Sequence, residues 1–248
     1  MKINDLISKL DTKRFGFKVA KVNHFDKKSE KLLIALKKQG VKLILSKVNA
    51  EDITLINTLE ELGFCIKDIQ VTYKYDLTDY TPKNISFDSD FMIRDAGKSD
   101  IPKLKKVALE SFKNYGHYFE DKKLDPIKCA GIYSDWIERS CKDKNIADKI
   151  IVAEHKGDIA GFLSFKIYND NTYKYAAGGL GSVAEKYRNK DIFRMIMVAG
   201  LNWGKEMKLH WEEHNVIITN FPVNRSMSKL GFKVYKSFVT MHHWIKKK

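Results

Sequence analysis

Residues 176–204 read AAGGLGSVAEKYRNKDIFRMIMVAGLNWG, and the fold of the chain turns on them. Residues 176–183 are small and apolar and read as a strand. A basic turn follows, carrying Lys186, Arg188 and Lys190. It opens a helix whose apolar positions, Ile192, Met195, Ile196, Ala199 and Trp203, share one face. The first N–H groups of such a helix have no intrahelical partner and carry the positive end of its dipole. Dipole, free donors and basic side chains then meet at one turn. That is a site for an anion, most simply a phosphate or pyrophosphate.

The 248 residues suit one large domain or two small ones. No run approaches the roughly 18 apolar residues of a membrane span. The start, MKINDLISKL, lacks the apolar stretch and cleavage site of a signal peptide. A cytoplasmic protein without a membrane partner is expected. Cys65, Cys129 and Cys141 are an odd count without metal-ligand spacing, so reduced, mostly buried thiols and no metal are expected. Net charge is +14, yet only six of the 45 basic residues are Arg. Lys is a hydrated point charge, whereas Arg supplies the fork that clamps phosphates and reads bases. The lysines are scattered apart from the tail 246–248, with no concentrated stripe. The charge reads as solubility and attraction of small anions, with no nucleic-acid partner expected.

In chain order, residues 15–22 alternate as a strand. Ser29 caps a helix that Gly40 ends, and residues 41–48 form a strand. Asn49 and Asp52 resemble a capping box before a helix that ends at Leu62-Gly63-Phe64. A long strand covers 65–77, and the polar residues 78–90 read as a linker. A second unit opens with a strand at 91–94. Asp100 and Asp125 each start a helix, separated by the aromatic loop 113–124. A hairpin around Lys156-Gly157-Asp158 joins 150–154 to 159–168. After the anion turn and its helix come a strand at 216–219, a short helix ending at Gly231, and a closing strand at 234–245. Residues 41–77 and 216–245 echo each other: strand, helix, Leu-Gly-Phe, long strand. Two similar units lying side by side are expected, residues 1–80 and 91–248. The first lacks a basic anion turn and reads as supporting.

The second unit, with Val183, then Arg188-Asn189-Lys190-Asp191-Ile192-Phe193, resembles the GNAT N-acetyltransferases, which use acetyl-CoA. Their motif at this turn is Arg-Gly-x-Gly-(Ile/Val)-(Gly/Ala). The N-terminal echo extends the resemblance over the whole chain, toward nucleotide-sugar N-acetyltransferases of the dTDP-fucosamine type with a degenerate N-terminal half. Phe15-Gly16, Ser111-Phe112, Trp136-Ile137-Glu138, Leu201-Asn202-Trp203, Asn220, Gly231-Phe232 and His243-Trp244 look like that branch. The resemblance implies an α/β fold with a mixed sheet, a GNAT domain with a truncated GNAT-like N-terminal half, and transfer of an acyl group from acetyl-CoA to a small-molecule amine. The amine is a nucleotide-linked amino sugar or another small amine, such as an amino acid or polyamine. A diverged, non-catalytic CoA-binding module is the reading from another class. A homodimer is a further expectation.

The departures from the motif are specific. Asn189 and Asp191 replace both glycines, and Phe193 replaces the small residue. Asn and Asp are the non-glycine residues that best tolerate left-handed backbone, so the loop shape can survive. Many GNAT enzymes carry a tyrosine seven residues after the last-helix Asn, which protonates the CoA thiolate. Counting from Asn220, that position is Met227. The expected cofactor-binding set is Gly181, Ser182, Val183, Arg188, Asn189, Lys190, Asp191, Ile192, Phe193 and Asn220. Glu154 is the expected base and Tyr235 a nearby hydroxyl. Tyr115, His117, Tyr118 and Phe119 are expected to stack on the acceptor.

Overall fold

The computed structural model describes residues 3–25, 29–84 and 90–246. Its strands are β1 (Lys18–Lys21), β2 (Val41–Asn49), β3 (Cys65–Asp76), β4 (Phe91–Asp95), β5 (Lys149–His155), β6 (Asp158–Asn169), β7 (Lys174–Val183), β8 (Trp211–Ile217) and β9 (Lys233–Trp244). Its helices are α1 (Lys9–Phe15), α2 (Ser29–Lys38), α3 (Ile53–Glu61), α4 (Ile101–Ser111), α5 (Pro126–Lys142), α6 (Ile192–Glu206) and α7 (Phe221–Leu230). All the strands join one mixed sheet in the order β1-β2-β9-β3-β8-β7-β6-β5-β4. Only β1–β2 and β7–β8 are parallel pairs.

Strand β6 is buried without a break from Ile159 to Phe165, so both faces of the sheet are covered there. On one side α6 sets Ile192 and Ile196 against Gly161, and its Gly200 lets Phe165 approach. The helices α4 and α5 pack together, and α4 also lies on β6 and β7. A smaller core lies between β2, β9 and the helices α2 and α3, through Leu36, Ile44, Ile56, Leu59 and Met241.

The echoed units do not lie side by side; they interleave. Strand β9 is hydrogen-bonded between β2 and β3, and β3 between β9 and β8. A strand–helix–strand unit leaves room between its two parallel strands for an antiparallel third, and each unit supplies the strand the other needs. The Leu-Gly-Phe endings behave alike, with Gly63 at φ 85° and Gly231 at φ 95°.

Local differences have local causes. The N-terminus forms α1, capped by Ser8 and ended by Gly16 at φ 78°, so the first strand starts only at Lys18. Asp52 alone caps α3, by accepting from the Leu55 N–H. Asp100 does not cap α4, because its carboxylate takes Arg94 and the Gly97 N–H instead. Strand β8 begins five residues earlier than its apolar end suggests, since Glu212 and His214 point into the core. Cys65 is exposed, whereas Cys129 is buried. Residues 85–89 of the linker lie outside the described residues, as does the side chain of Ser29 and with it the expected cap.

Asp11 ties the N-terminal helix to the rest. Its buried carboxylate accepts from Ser8 Oγ at 2.7 Å and Tyr118 Oη at 3.2 Å, and pairs with Lys21 Nζ at 2.8 Å. Arg14 bridges it to Asp135 on α5. Burial pushes this carboxyl up, but Lys21, Ser8 and Tyr118 outweigh it and hold it below the ordinary value. Its contribution is therefore present above the unfolded carboxylate pKa and fades as pH falls through the lowered one. We expect Asp11→Ala to cost about 1–3 kcal/mol in a urea titration at neutral pH, because the Ser8 and Tyr118 hydroxyls lose a buried acceptor while Arg14 keeps Asp135. A change under about 0.5 kcal/mol would remove Asp11 from this role.

Candidate active site

Strands β7 and β8 run side by side only from Tyr175 opposite Trp211 to Gly178 opposite His214. Beyond that point they part. Strand β8 keeps β3 on its other edge out to Ile217. Strand β7 stays with β6 to Val183, and two of its residues, Gly179 and Leu180, bulge opposite Ser164. The His214 imidazole sits over Gly178, where any Cβ would overlap it. Bulge and imidazole together open a wedge whose β7 edge has no β8 partner.

The wedge leads into a cleft of about 1080 Å³. One end is formed by the anion turn. Asn189 and Asp191 hold left-handed backbone at φ 61° and 56°, each at a cost of about 1–2 kcal/mol for a residue with a side chain. Asp191 leads into α6 without capping it, so the first N–H groups of the helix face the cleft with no side-chain partner. Arg188 and Arg194 line this end. Ser182 Oγ, also in the lining, is buried without a hydrogen-bond partner among the described residues. Donors at a helix start, an orphaned hydroxyl and two guanidinium groups fit a phosphate-bearing ligand.

Gly181, Ser182, Val183, Arg188, Asn189, Asp191, Ile192, Phe193 and Asn220 all line the cleft. Lys190 does not; its ammonium lies 5.9 Å from the Tyr187 ring centre. Lys186 is paired with Asp158 at 2.6 Å, outside the cleft. Met227 lies in the lining with 1% of its surface exposed, so an apolar side chain fills the position of the missing tyrosine.

Two expected catalytic residues are elsewhere. Glu154, on β5, is held by Arg94 at 2.6 Å, and Arg94 also grips Asp100; none of the three lines the cleft. Tyr235 is 47% exposed on β9, beside Lys74 and Lys236. Of the four loop residues expected to stack on the acceptor, Tyr115 alone lines the cleft. Its hydroxyl meets the Asn220 side chain and the Ile217 backbone, and burial raises its pKa against those two hydrogen bonds. Tyr118 points the other way, to Asp11, and Phe119 packs on the core.

His117 is part of a buried chain. Its Nδ1 lies 2.8 Å from His242 Nε2, and His242 Nδ1 lies 2.7 Å from Asp121, which also accepts from Trp244 Nε1 at 2.8 Å. Burial would raise the Asp121 carboxyl, but the His242 and Trp244 hydrogen bonds bring it down to about 2. Burial, then the charge of His242, push His117 down to about 3. The network anchors the loop that carries Tyr115.

Several lining residues have no signature in the sequence. His214 and its buried neighbour Glu212 form a pair at 3.4 Å below the apex of the wedge. Burial raises the Glu212 carboxyl, with His214 opposing. Residues 66–69 of β3 wall the far end, Asp68 among them. An Asp inside a strand is disfavoured, and that was the one available hint.

The fold is that of the GNAT acetyltransferases. No known protein family's sequence profile matches the chain, and no curated protein sequence resembles it significantly. Solved structures do. A tandem GNAT protein from the clavulanic acid biosynthesis pathway superposes with a TM-score of 0.69 at 13% identity, over 93% of this chain and 76% of its own. A GCN5-related N-acetyltransferase from Sphaerobacter thermophilus gives a TM-score of 0.60 at 13% identity, over 88% and 66%. The glucosamine N-acetyltransferase region of a fungal multi-domain β-N-acetylglucosaminidase gives 0.63 at 14%, over 96% of this chain and 30% of the fungal one. Among the described residues no helix is long and apolar enough to cross a membrane, and no group of three or more His, Cys, Asp or Glu is placed to hold a metal.

His117 makes acid stability testable. An unfolded His titrates near pH 6.5, the folded one near 3. Between those values the unfolded chain binds the extra proton, so stability falls as pH falls, by up to about 1.4 kcal/mol per pH unit from this group. We expect His117→Asn to flatten the fall in urea midpoint between pH 6.5 and 4. An equally steep fall would mean that other groups carry it.

Proposed function

We propose that the protein is an acetyl-CoA-dependent N-acyltransferase acting on a small primary amine. The observation that carries this reading is the wedge between β7 and β8 with the uncapped start of α6 at its mouth. The coenzyme's pyrophosphate would rest on the α6 N–H groups, with Arg188 and Arg194 beside it. Its pantetheine arm carries amide groups, and the unpartnered β7 edge offers N–H and C=O groups to pair with them.

In the reaction the amine nitrogen attacks the thioester carbonyl carbon. The developing oxyanion takes a hydrogen bond from a β7 N–H at 181–183. As the intermediate collapses, the C–S bond breaks, the amine loses a proton and the CoA thiolate gains one. Holding amine and thioester together supplies effective molarities on the order of 10⁵ M or more.

With Met227 unable to give a proton, Tyr115 is the hydroxyl suited to that step. Ser226 Oγ is bonded to the Pro222 carbonyl, and Tyr187 Oη to His155 and Asp158. The raised pKa keeps the Tyr115 phenol protonated until a thiolate needs it. A nucleotide-linked amino sugar is the finer reading suggested by the resemblance in the N-terminal half, and the similarity to the fungal glucosamine N-acetyltransferase region is consistent with an amino sugar in general. A cytoplasmic setting, where acetyl-CoA is available, goes with this function.

Thiol release from acetyl-CoA with a panel of amines tests the proposal. Tight, saturable binding of acetyl-CoA with no thiol release from any amine would make the chain a binding module instead. Arg188→Glu should raise the acetyl-CoA KM about tenfold or more while the melting temperature holds, through loss of a charge-assisted phosphate contact; an unchanged KM would displace the anion turn from the donor site. Tyr115→Phe should lower kcat about 100-fold with little change in acetyl-CoA KM. A kcat within a factor of two would rule the phenol out as the acid.

A further inference from the structure

Asp68 is 8% exposed and lines the end of the cleft away from the anion turn. Its Oδ2 accepts from the His117 N–H at 3.1 Å and from Gln70 Nε2 at 3.3 Å, while Oδ1 has only a 3.5 Å contact with the same amide. Among the described residues no side-chain nitrogen of Lys, Arg or His lies within 4.0 Å of the carboxylate. Lys47 is near, but its ammonium donates to Gln70 Oε1 at 2.9 Å and lies 4.7 Å over the Phe238 ring. Lys47 acts on Asp68 through space and through Gln70, but no ammonium touches the carboxylate, and a neutral side chain could accept from His117 equally well. The carboxylate, with Oδ1 held only by a 3.5 Å contact, is left able to take a cation from the cleft.

Its surroundings say what that use is. Glu120 shares this end of the cleft and is exposed; Lys67 is there too, with its ammonium turned to the Glu120 carbonyl at 3.3 Å. The opposite end carries Arg188 and Arg194. In a chain of net charge +14, two guanidinium groups outnumber Asp191 at the turn, and two carboxylates outnumber Lys67 at β3.

Resting on the acyl-transfer reading, we propose that Asp68 anchors a positively charged group of the acceptor. The nitrogen that attacks must be neutral, and a carboxylate gripping it would hold it as the unreactive ammonium. The anchored charge is therefore a second one. The acceptor is a diamine or polyamine type of molecule, and a nucleotide-linked sugar, whose phosphates Asp68 would repel, is disfavoured.

Calorimetry with 1,3-diaminopropane and spermidine, in the presence of CoA, tests this by binding and not by turnover. Wild type should bind one equivalent, and Asp68→Asn should weaken binding about 30-fold or more, with a melting temperature of the free protein equal to or above wild type. On wild type alone, 3-amino-1-propanol, which lacks the second ammonium, should bind about 30-fold or more weaker than 1,3-diaminopropane. Equal affinities in either comparison overturn the anchor, as does an Asp68→Asn variant that melts earlier yet binds diamine like wild type. If diamine binds through Asp68 but no thiol is ever released, the anchor stands and acyl transfer falls. If monoamines release thiol and Asp68→Asn leaves their KM and that of diamines unchanged, acyl transfer stands and the anchor falls.

Discussion

Two strands that begin as partners and then separate define the working part of this molecule. The separation is enforced from both sides. On one side, Gly179 and Leu180 bulge opposite Ser164, whose hydroxyl takes the Leu180 N–H and so stabilises the bulge. On the other, β3 holds β8 in line to Ile217. The His214 ring lies on Gly178 at the point of parting, filling space that a side chain on β7 would need. A sheet interior normally leaves no backbone group unpaired. Here an edge of β7 is left open inside the fold, beside a helix start that is also left open. Both present unpaired backbone groups, the strand edge along its length and the helix start with its positive dipole end.

The interleaving of β2-α3-β3 with β8-α7-β9 explains why the N-terminal part cannot be dismissed as an ornament. Because β3 lies between β9 and β8, its far end reaches the cleft and brings Asp68 with it. The same arrangement buries His242 of β9 against the loop after α4, through Asp121 and His117. The aromatic loop is thus secured by one part of the chain, and the cleft is walled at residues 66–69 by another. Of that loop's aromatic side chains, Tyr115 alone faces the cleft.

Replacing the motif glycines did not abolish the turn, because Asn189 and Asp191 take up the left-handed backbone the glycines would have used. The strain of two such residues is modest against a fold of this size. Asp191 does place a carboxylate near an anion site, but it is largely solvent-exposed, with Arg194 4.0 Å away. Solvent and that guanidinium screen it.

The sequence by itself determined most of the elements and several of their ends, though not the N-terminal helix or the start of β8. Period-3.6 faces marked α6 and α4, Leu-Gly-Phe marked the two helix stops, and the basic stretch before Ile192 marked the turn that opens α6 on the cleft. These signals are local, since they depend on residues within one or two turns of each other. It also showed that Met227 could not be the acid. Only the tertiary structure decided which carboxylate, hydroxyl and imidazole meet in the cleft. Glu154 stood at a plausible strand end but is claimed by Arg94, and Tyr118 turns to Asp11, because each finds a partner far away in the chain. Asp68 and His214 reach the cleft through strand order and strand parting. Those depend on which of several compatible edges pair, a choice made by the packing of the whole sheet and written in no single stretch of residues.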